Sequence, residues 1–358
     1  MAAALLAAIS FFTVKADAIS AEKWIMVDAS TGRVLEEHNA DKRSLIASTT
    51  KIMTALVICE QCNVLDRMRI PKEAVGVEGS SMYLKEGEVL TIQELLYGLM
   101  LHSGNDAAVA LAIYCAGTVE GFAELMNDKA HSIGMVNSHF VNPNGLDAPD
   151  HYATARDLAL LASYAMDNPI FAQTVSTKTV TVGNRTLRNH NKLLWQVDGA
   201  EGVKTGYTKS AGRILVSSTC RDGRRLVVVT INAPSDWQDH KYLVEKGFSG
   251  YKVSEIVCRG DVIGTVEIAG GEQGSVQLIA DESFSYPLAQ GEQIEILFRG
   301  PGFVYAPVSA GEDAGFACLM IGDHVAGKLP LVYGQTVEQK KIAQKRTLFE
   351  KIFGGECP

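Results

Sequence analysis

The pattern of apolar and polar residues predicts a first part of the chain that contains both helices and strands. Two short apolar runs, 24–27 and 34–37, flank Ser30-Thr31-Gly32 and predict a β-hairpin. Apolar residues then recur at helical spacing in three stretches: 92–116, 119–133 and 155–166. Strand patterns return in three further stretches: 178–182, 212–218 and 226–231. Strands on both sides of a helical middle predict an α+β domain in which one sheet joins the early and late strands.

From residue 251 the pattern changes to short apolar or alternating runs separated by glycine and proline turns. The runs occupy four stretches: 262–268, 275–280, 293–298 and 316–321. Regular turns between short strands are typical of a small all-β domain. No set of candidate catalytic residues occurs in this part, which favours a spacer or an interaction module.

The two ends of the chain differ from the rest. Residues 2–14 form a short uncharged apolar run, followed by Ala16-Asp17-Ala18, which predicts a signal peptide over 1–18 although a basic start is missing. A buried first helix is the alternative. Residues 337–358 are predicted to be an amphipathic tail that lies on an anionic membrane surface. Its apolar face is formed by Ile342, Leu348, Phe349, Ile352 and Phe353, and its positive charge by Lys340, Lys341, Lys345, Arg346 and Lys351. A helix docked on the β domain is the alternative for the tail.

Composition supports this division. A chain of 358 residues with 47% hydrophobic content is long enough for two domains. We predict a signal peptide over 1–18, a catalytic domain over 19–250, a β-rich domain over 251–336 and the tail over 337–358. The net charge of −8, without a basic stripe before the tail, argues against a nucleic-acid partner. The predicted location is outside the cell, at the outer face of the cytoplasmic membrane or in the cell wall.

The seven cysteines follow no regular spacing, and their odd number leaves at least one thiol unpaired. Cys59-x-x-Cys62 fits a redox or metal pair, but no second pair lies nearby in the sequence. We therefore interpret these cysteines as small buried apolar residues.

Three short motifs carry the chemical information: Ser48-Thr49-Thr50-Lys51, Ser103-Gly104-Asn105 and Lys204-Thr205-Gly206. Each is common by chance, but the ordered set predicts a nucleophile and the two walls of a serine acyl-transfer site. If Ser48 opens a helix, Lys51 lies one turn further on the same face and its amine can take the hydroxyl proton. Burial by the apolar run 52–58 and the charge of Lys204 would lower the pKa of Lys51. The alternative is a helix-capping Ser48 with a solvated Lys51.

The chain resembles the low-molecular-mass penicillin-binding proteins that are D-alanyl-D-alanine carboxypeptidases. Besides the motifs, the resemblance includes five stretches: 101–108, 140–147, 151–158, 204–208 and 232–234. It covers residues 24–248 without a large gap. The resemblance implies an antiparallel sheet flanked by helices, then a small β-rich domain. It also implies that the chain binds peptidoglycan stem peptides ending in D-Ala-D-Ala and β-lactam antibiotics, and that it needs no cofactor.

Acyl transfer requires backbone N–H donors at the oxyanion, and the resemblance implies that Ser48 and Tyr207 supply them. Lys204 and Thr205 would receive the terminal carboxylate of the substrate. Gly206 is expected to leave room for an extended substrate that pairs along the strand.

The remaining motif supplies the other wall of the predicted site. Ser103 would relay a proton among Lys51, Lys204 and the leaving amine. Asn105 would hold Lys51 or the peptide carbonyl, and Gly104 would contact the substrate. In Asn189-His190-Asn191 some relatives carry arginine at the middle position, where it contacts a carboxylate.

Three other functions are the alternatives to this one. A class A β-lactamase would need Ser-Asp-Asn and a deacylating glutamate, whereas residues 142–150 contain no glutamate. His102 and Asp106 have the i, i+4 spacing of zinc ligands, but the other histidines form no ligand pattern. A non-catalytic wall-binding or penicillin-sensing protein would be expected to lack a motif residue. Endopeptidase and transpeptidase action are both compatible with the motifs.

Overall fold

The computed structural model describes residues 19–341. The predicted signal peptide and residues 342–358 of the predicted tail lie outside the described residues. The chain divides into two compact units, the first ending at Gly247 and the second beginning at Phe248.

The first unit contains strands at its start and end, with most of its helices between them. Its strands are β1 (Lys23–Asp28), β2 (Val34–His38), β3 (Arg67–Arg69), β4 (Val89–Thr91), β5 (Thr179–Val182), β6 (Arg185–Arg188), β7 (Ala200–Thr208), β8 (Gly212–Arg221) and β9 (Arg224–Ile231). Its helices are α1 (Lys51–Gln61), α2 (Ile92–Leu101), α3 (Asn105–Ala116), α4 (Val119–Ser132), α5 (Ala155–Met166), α6 (Pro169–Ser176) and α7 (Leu193–Gln196); α8 (Asp236–Gly250) follows β9. Two single 3₁₀ turns occupy Ala47–Thr50 and Lys72–Ala74.

A five-stranded sheet with the order β2-β1-β9-β8-β7 forms the frame of the first unit, and each neighbouring pair is antiparallel. The early hairpin β1–β2 thus joins the late strands through β1 and β9, which confirms the predicted α+β arrangement. The strand β7 lies at the edge of this sheet, so part of its backbone hydrogen-bonding capacity faces away from the sheet. That edge carries Lys204, Thr205 and Gly206.

The helix α1 is buried along almost its whole length, from Lys51 to Cys59. A helix that is apolar on all sides belongs in the centre of a domain, and α1 packs against α2, α3, α4 and α5. The nucleophile motif therefore sits at the start of the central helix of the first unit.

The single helical stretch predicted over 92–116 is in fact two helices. Between them Ser103 has a φ of 62°, in the left-handed region, and Gly104 is extended. Because neither conformation continues an α-helix, α2 ends at Leu101 and α3 begins at Asn105. Periodicity did not reveal this break, which turns the second motif toward Ser48 and Lys51.

The second unit is all-β, as predicted. Its strands are β10 (Tyr251–Val257), β11 (Val262–Ala269), β12 (Ser275–Ala280), β13 (Phe284–Ala289), β14 (Glu295–Arg299), β15 (Phe303–Tyr305), β16 (Asp313–Ile321) and β17 (His324–Tyr333). Six of them form a sheet with the order β14-β16-β17-β12-β11-β15, and β10 pairs with β13. Val337 is buried and bridges to Val308, and Gln339 bridges to Gly271. The chain thus still belongs to this unit three residues beyond the boundary predicted at 336.

No single helix within residues 19–341 is long and apolar enough to cross a bilayer. Only α3 and α4 taken together reach that length, and the pair is bent by 83°.

The described cysteines are all free thiols. Cys59 is buried in α1, and this burial raises the pKa of its thiol to about 12, in keeping with its interpretation as a small buried apolar residue. The thiol of Cys115 in α3 donates to Gln61 Oε1 at 3.9 Å. The thiols of Cys115 and Cys62 also influence each other, which raises the pKa of Cys62 and lowers that of Cys115.

Candidate active site

The three motifs meet at one cavity. Ser48 lies in the 3₁₀ turn that leads into α1, Ser103 lies in the break between α2 and α3, and Thr205 lies on the edge strand β7. All three line a cavity of about 790 Å³. Ser48 and Thr205 are 157 positions apart in the sequence (205 − 48), yet the motifs that contain them are neighbours in the fold.

The 3₁₀ turn Ala47–Thr50 that carries Ser48, the nucleophile turn, has an uncommon backbone conformation. Ala47, directly before Ser48, has a φ of 44°, which is rare for a residue other than glycine. Ser48 does not cap α1, because the N-cap position is Thr50 and no side chain caps that helix. The alternative of Ser48 as a simple helix cap is therefore wrong.

The amine of Lys51 is the centre of the polar network. Lys51 has no solvent exposure, and its Nζ lies 3.0 Å from Ser48 Oγ, 2.7 Å from Asn105 Oδ1 and 2.5 Å from the carbonyl oxygen of Asn144. A charged ammonium group donates to all three. A neutral amine keeps only two N–H donors, which the two carbonyl oxygens can take. Its lone pair is then left for the Ser48 hydroxyl, the arrangement a general base needs.

Electrostatics favour the neutral form of this amine. Burial lowers the pKa of Lys51 well below its ordinary value of 10.5, and the nearby charge of Lys204 lowers it further. These are the two causes expected from the sequence. The carboxylate of Asp106 acts in the opposite direction but is the smallest of the three influences.

Lys204 is also buried, with 1% exposure, and burial lowers the pKa of its amine to about 7. Its Nζ donates to the carbonyl oxygen of Thr205 at 2.9 Å. This single backbone acceptor leaves donors of a charged amine for a ligand. Lys204 can therefore present positive charge to an anion at neutral pH and below.

Gly206 lies against the nucleophile turn. A Cβ at this position would lie 3.3 Å from the backbone N of Ser48, and 3.3 Å from both Ile46 O and Thr49 Cγ2. The sequence predicts that glycine is needed here for the substrate. The structure adds a closer reason, since a side chain would press on the turn that carries Ser48. The next residue, Tyr207, is 66% exposed and pairs with Arg213 on β8.

Hydrogen bonds hold Asn105 of the second motif, Ser103-Gly104-Asn105, in a fixed orientation. Asn105 donates from Nδ2 to the carbonyl oxygen of Glu78 at 2.5 Å, while its Oδ1 accepts from Lys51. This fixes the orientation of the amide. A Cβ on Gly104 would lie 2.7 Å from Asp106 Oδ1, so glycine leaves room for that carboxylate. Ser103 is buried and lines the cavity.

His102 and Asp106, which have the spacing of zinc ligands, contact other groups in the structure. The carboxylate of Asp106 accepts from the backbone N–H groups of Met82 and Leu84 and from the Ser81 hydroxyl. The ring of His102 instead packs against His190, with 5.1 Å between centroids. Within residues 19–341 no group of three or more histidine, cysteine, aspartate or glutamate side chains converges in a way that would hold a metal ion.

Asn144 is a site residue that the sequence did not single out. Its backbone carbonyl contacts Lys51, and its loop is fastened by Asn142, whose Oδ1 accepts from the N–H of Gly145 at 2.7 Å. Thr54 on α1 holds the same loop by donating to Pro143 O at 2.7 Å. The run Asn-Pro-Asn-Gly is typical of a turn, but no sequence signal shows which carbonyl of a turn faces a distant lysine.

This loop also bears on the β-lactamase alternative. A class A β-lactamase would place its deacylating glutamate in the stretch 142–150. In this chain the group of that stretch that contacts Lys51 is the backbone carbonyl of Asn144. Asp147, an acidic residue of this stretch, accepts from the Thr208 hydroxyl at 3.1 Å. The described loop thus supplies an acceptor that orients Lys51.

Gly145→Ala tests whether the loop that contacts Lys51 is needed for acylation, beyond the backbone strain of any side chain at a positive φ. A Cβ at Gly145 would lie 1.9 Å from Ala47 O, at a φ of +86°. We expect a loss of about 3 kcal/mol or more in the free energy of unfolding, with loss of acylation by penicillin. Gly32 is the matched control, because its φ is +70° and nothing lies within 4 Å of its Cβ position. Gly32→Ala should cost about 1 kcal/mol and leave acylation intact, as measured by denaturant titration and penicillin labelling. Equal effects of the two changes would contradict the role of the loop.

The chain is similar to known proteins over nearly its whole described length. The family model described as D-alanyl-D-alanine carboxypeptidase matches residues 10–235, and the model of the penicillin-binding protein 5 C-terminal domain matches residues 251–339. The D-alanyl-D-alanine carboxypeptidase DacC of Escherichia coli is 32% identical, covering 91% of this chain and 86% of the relative. DacF of Bacillus subtilis is 29% identical, covering 93% and 89%. Penicillin-binding protein 5 of Haemophilus influenzae matches in structure with a TM-score of 0.77 and 28% identity, covering 90% and 98%.

Proposed function

The chain belongs to the D-alanyl-D-alanine carboxypeptidase family, and from that premise we propose that it removes the terminal D-alanine of peptidoglycan stem peptides through an acyl-enzyme on Ser48. It is a serine-type peptidase of the penicillin-binding kind. We assign Ser48 as the nucleophile because its Oγ contacts the buried amine of Lys51, which also donates hydrogen bonds to Asn105 and Asn144.

In the first half-reaction the neutral Lys51 amine takes the proton of Ser48 as Oγ attacks the carbonyl carbon of the penultimate D-alanine. Collapse of the tetrahedral intermediate breaks the C–N bond. The departing amine receives a proton from Lys51, either directly or through Ser103. Free D-alanine and a Ser48 ester result.

In the second half-reaction Lys51 takes a proton from a water molecule, whose oxygen attacks the ester carbonyl. The C–O bond to Ser48 breaks, and Oγ regains the proton from Lys51. The backbone N–H groups of Ser48 and Tyr207 stabilise the oxyanion in both halves. The close approach of Gly206 to the Ser48 turn supports this pairing, because it brings the two donors to one side of the site.

Substrate binding is proposed to use the free edge of β7. An extended peptide can add to an edge strand through backbone hydrogen bonds. Lys204 and Thr205 would hold the terminal carboxylate, and Gly104 and Asn105 would contact the peptide from the opposite wall. Partial burial and the charge of Lys204 lower the pKa of His190 to about 4, so that this ring is neutral at physiological pH. Where some relatives carry arginine, this chain therefore offers a neutral hydrogen-bonding group.

The test of the proposed function is intact-mass analysis of the wild-type protein after penicillin treatment, combined with an assay for D-alanine release. We expect one penicillin adduct, mapped to the peptide that contains Ser48, and release of D-alanine from diacetyl-L-lysyl-D-alanyl-D-alanine. Prior acylation should block that release. D-alanine release that penicillin leaves untouched and a chelator abolishes would show a different class of peptidase.

The pH dependence of substrate binding should report on Lys204. Its amine must be charged to attract the terminal carboxylate, and the charged fraction falls as the pH rises through its pKa of about 7. We therefore expect KM of the wild-type protein to increase above neutrality, toward about tenfold per pH unit. Lys204→Arg keeps its charge over this range and should give a flat KM. If KM rises equally with pH in both proteins, Lys204 does not bind the terminal carboxylate of the substrate.

We also propose export and membrane association. The apolar run 2–14 with its A-x-A pattern supports a signal peptide, and the amphipathic pattern of the C-terminal tail supports contact with an anionic membrane surface. An exported enzyme would meet its substrate in the cell wall. The second unit, which holds none of the proposed catalytic residues, would then serve as a spacer or an interaction module.

Deleting residues 342–358 tests the membrane proposal while keeping the strand pairing of Val337 and Gln339. The deletion removes the whole predicted apolar face and Lys345, Arg346 and Lys351. Co-sedimentation with anionic vesicles should fall and should be salt-sensitive in the full-length protein. D-alanine release from a small peptide should be unchanged, because the proposed catalytic residues lie before residue 248. Equal sedimentation of the two proteins would favour a tail docked on the β domain.

A further inference from the structure

His151 is a buried histidine for which the proposed reaction has no use. Its two ring nitrogens have different partners: Nε2 lies 2.7 Å from Thr50 Oγ1, and Nδ1 lies 3.1 Å from the backbone N of Val141. A backbone N–H can only donate, so Nδ1 is the ring nitrogen without a proton. In the neutral ring the proton is then on Nε2, which donates it to the Thr50 hydroxyl.

The surroundings of His151 favour this neutral ring. The imidazole is 2% exposed and meets the ring of Phe140 edge-on, with 5.9 Å between the centroids. Burial lowers the pKa of His151 to about 4, the charge of His139 acts in the same direction, and the carboxylate of Asp147 acts against them. At neutral pH the ring therefore keeps one N–H donor and one acceptor.

The backbone that carries this ring is held independently of Thr50. The two residues after His151 pair with distant segments of the first unit. Tyr152 pairs with His139 through backbone hydrogen bonds of 2.8 and 3.0 Å, and Ala153 pairs with Ser44 through bonds of 2.9 and 3.1 Å. The imidazole is thus a fixed point against which the nucleophile turn can be held.

Both partners of the ring belong to segments that place the amine of Lys51. Thr50 has no solvent exposure, ends the nucleophile turn and directly precedes Lys51. Val141 lies three residues before Asn144, whose carbonyl oxygen accepts from that amine. One buried ring therefore joins the nucleophile turn to the loop on the other side of Lys51.

The nucleophile turn needs such support because its own backbone conformation is uncommon. The φ of 44° at Ala47 is rare for a residue with a side chain, and such a conformation persists where its surroundings hold it. Without the bond to Thr50 the turn can relax, and Ser48 Oγ then moves away from the amine that lies 3.0 Å from it. A misplacement of about 1 Å can lower a reaction rate by about 10².

We propose that His151 is a positioning residue for acylation, whose ring holds the nucleophile turn through Thr50 and so keeps Ser48 Oγ in contact with the Lys51 amine. The inference rests on the proposed function, in which Ser48 is the nucleophile. His151 acts from behind the turn, since it does not occur among the described residues that line the cavity. Its loss should therefore affect the rate of the reaction more than substrate binding.

Two amide substitutions separate the two hydrogen bonds of the ring. His151→Gln places an amide nitrogen near the position of Nε2 and can still donate to Thr50. His151→Asn places an amide oxygen near the position of Nδ1, so it can still accept from Val141 but does not reach Thr50. For D-alanine release we expect His151→Asn to lower kcat by about 10- to 100-fold with KM unchanged within about twofold, and the rate of penicillin acylation to fall in parallel. His151→Gln should keep kcat within about threefold of the wild-type protein.

His240→Asn is the matched control for the loss of a buried hydrogen bond. His240 has no solvent exposure, and its ring also joins two segments, with Nε2 2.9 Å from Thr230 Oγ1 and Nδ1 2.7 Å from Ser217 Oγ. His240→Asn should lower the melting temperature as His151→Asn does. Its kcat, measured below the melting transitions of both variants, should stay within about twofold of the wild-type value.

Thr50→Val completes the test, because it removes the hydroxyl and keeps the shape of the side chain. It should lower kcat as His151→Asn does, and the double variant should lose no more than the larger single loss, since both changes break one bond. Wild-type kcat in His151→Asn, an equal loss in His240→Asn, or an equal loss in His151→Gln would overturn the inference. A wild-type protein that neither releases D-alanine nor is acylated by penicillin would instead contradict the proposed function.

Discussion

Replacing Ser48 with alanine should abolish both penicillin acylation and D-alanine release. The hydroxyl of Ser48 is the group held 3.0 Å from the buried Lys51 amine, and no other serine in the cavity has a contact to that amine among those the structure describes. Loss of the nucleophile removes the covalent route as a whole, so we expect kcat to fall by about 10⁴ or more. The measurements are intact mass after penicillin treatment and D-alanine release from the diacetyl tripeptide.

The fold should survive this change, because the Ser48 side chain is only partly buried and donates to no structural acceptor that would be left unpaired. Thermal melting of Ser48→Ala should therefore match the wild-type protein closely. Ser44→Ala is a suitable control, since its hydroxyl only contacts the nearby carbonyl oxygen of Lys42. That variant should keep full activity. Persistent D-alanine release by Ser48→Ala would falsify the assignment of the nucleophile.

The contact between Ser48 and Lys51, the proposed nucleophile and base, could be predicted from the sequence because the two residues are only three positions apart. Residues three apart at the start of a helix are neighbours whatever the rest of the fold does. The apolar run after Lys51 likewise predicted its burial, and the structure places the whole segment from Lys51 to Cys59 inside the first unit. Local spacing and burial were enough for this part of the site.

The contacts of Lys51 across the fold could not be predicted in the same way. Its partner Asn144 contributes a backbone carbonyl, which every residue possesses and which therefore leaves no mark on the sequence. The requirement for Gly145 also depends on distance, since it arises from the oxygen of Ala47 in another segment. Such constraints appear only when two loops are placed against each other.

The break at Ser103 illustrates a second limit. Apolar periodicity continues from α2 into α3, because both helices are buried in the same core. The interruption comes from the left-handed φ of Ser103. A glycine at this position would have indicated such a conformation in the sequence, whereas a serine does not. The hydrogen bonds of Asn105 to Ser80 O and Glu78 O hold the second helix in place after the break. Tertiary contacts thus decide a boundary that helical spacing alone does not show.

Lys51→Ala should abolish acylation by peptide and penicillin alike, with Ser48 still present. No other side chain within residues 19–341 is seen to contact Ser48 Oγ as a proton acceptor, so the hydroxyl would have to react without a base. General-base catalysis contributes about 10²–10⁴ in rate, and we expect a loss in that range or greater. The rate of penicillin acylation, followed by mass over time, measures it directly.

Two further variants distinguish a proton-accepting role from a structural one. Lys51→Arg keeps a positive charge and several N–H donors for Asn105 and Asn144, yet its guanidinium does not lose a proton at working pH and cannot act as a base. It should fail to acylate as Lys51→Ala does. Lys51→Ala leaves a space next to Ser48, and a small amine such as ethylamine should restore part of the acylation rate in proportion to its neutral fraction.

The pH profile of acylation by the wild-type protein tests whether Lys51 must be neutral to act. A base must be neutral to act, so acylation should increase with pH until Lys51 has lost its proton. Since burial and Lys204 hold the pKa of Lys51 well below 10.5, this rise should be finished at a pH far below that of an ordinary lysine. The acid limb should disappear in Lys51→Ala and be replaced, on rescue, by one that follows the pKa of the added amine. Wild-type acylation that climbs only near pH 10, or an active Lys51→Arg, would mean that Lys51 positions Ser48 without taking its proton.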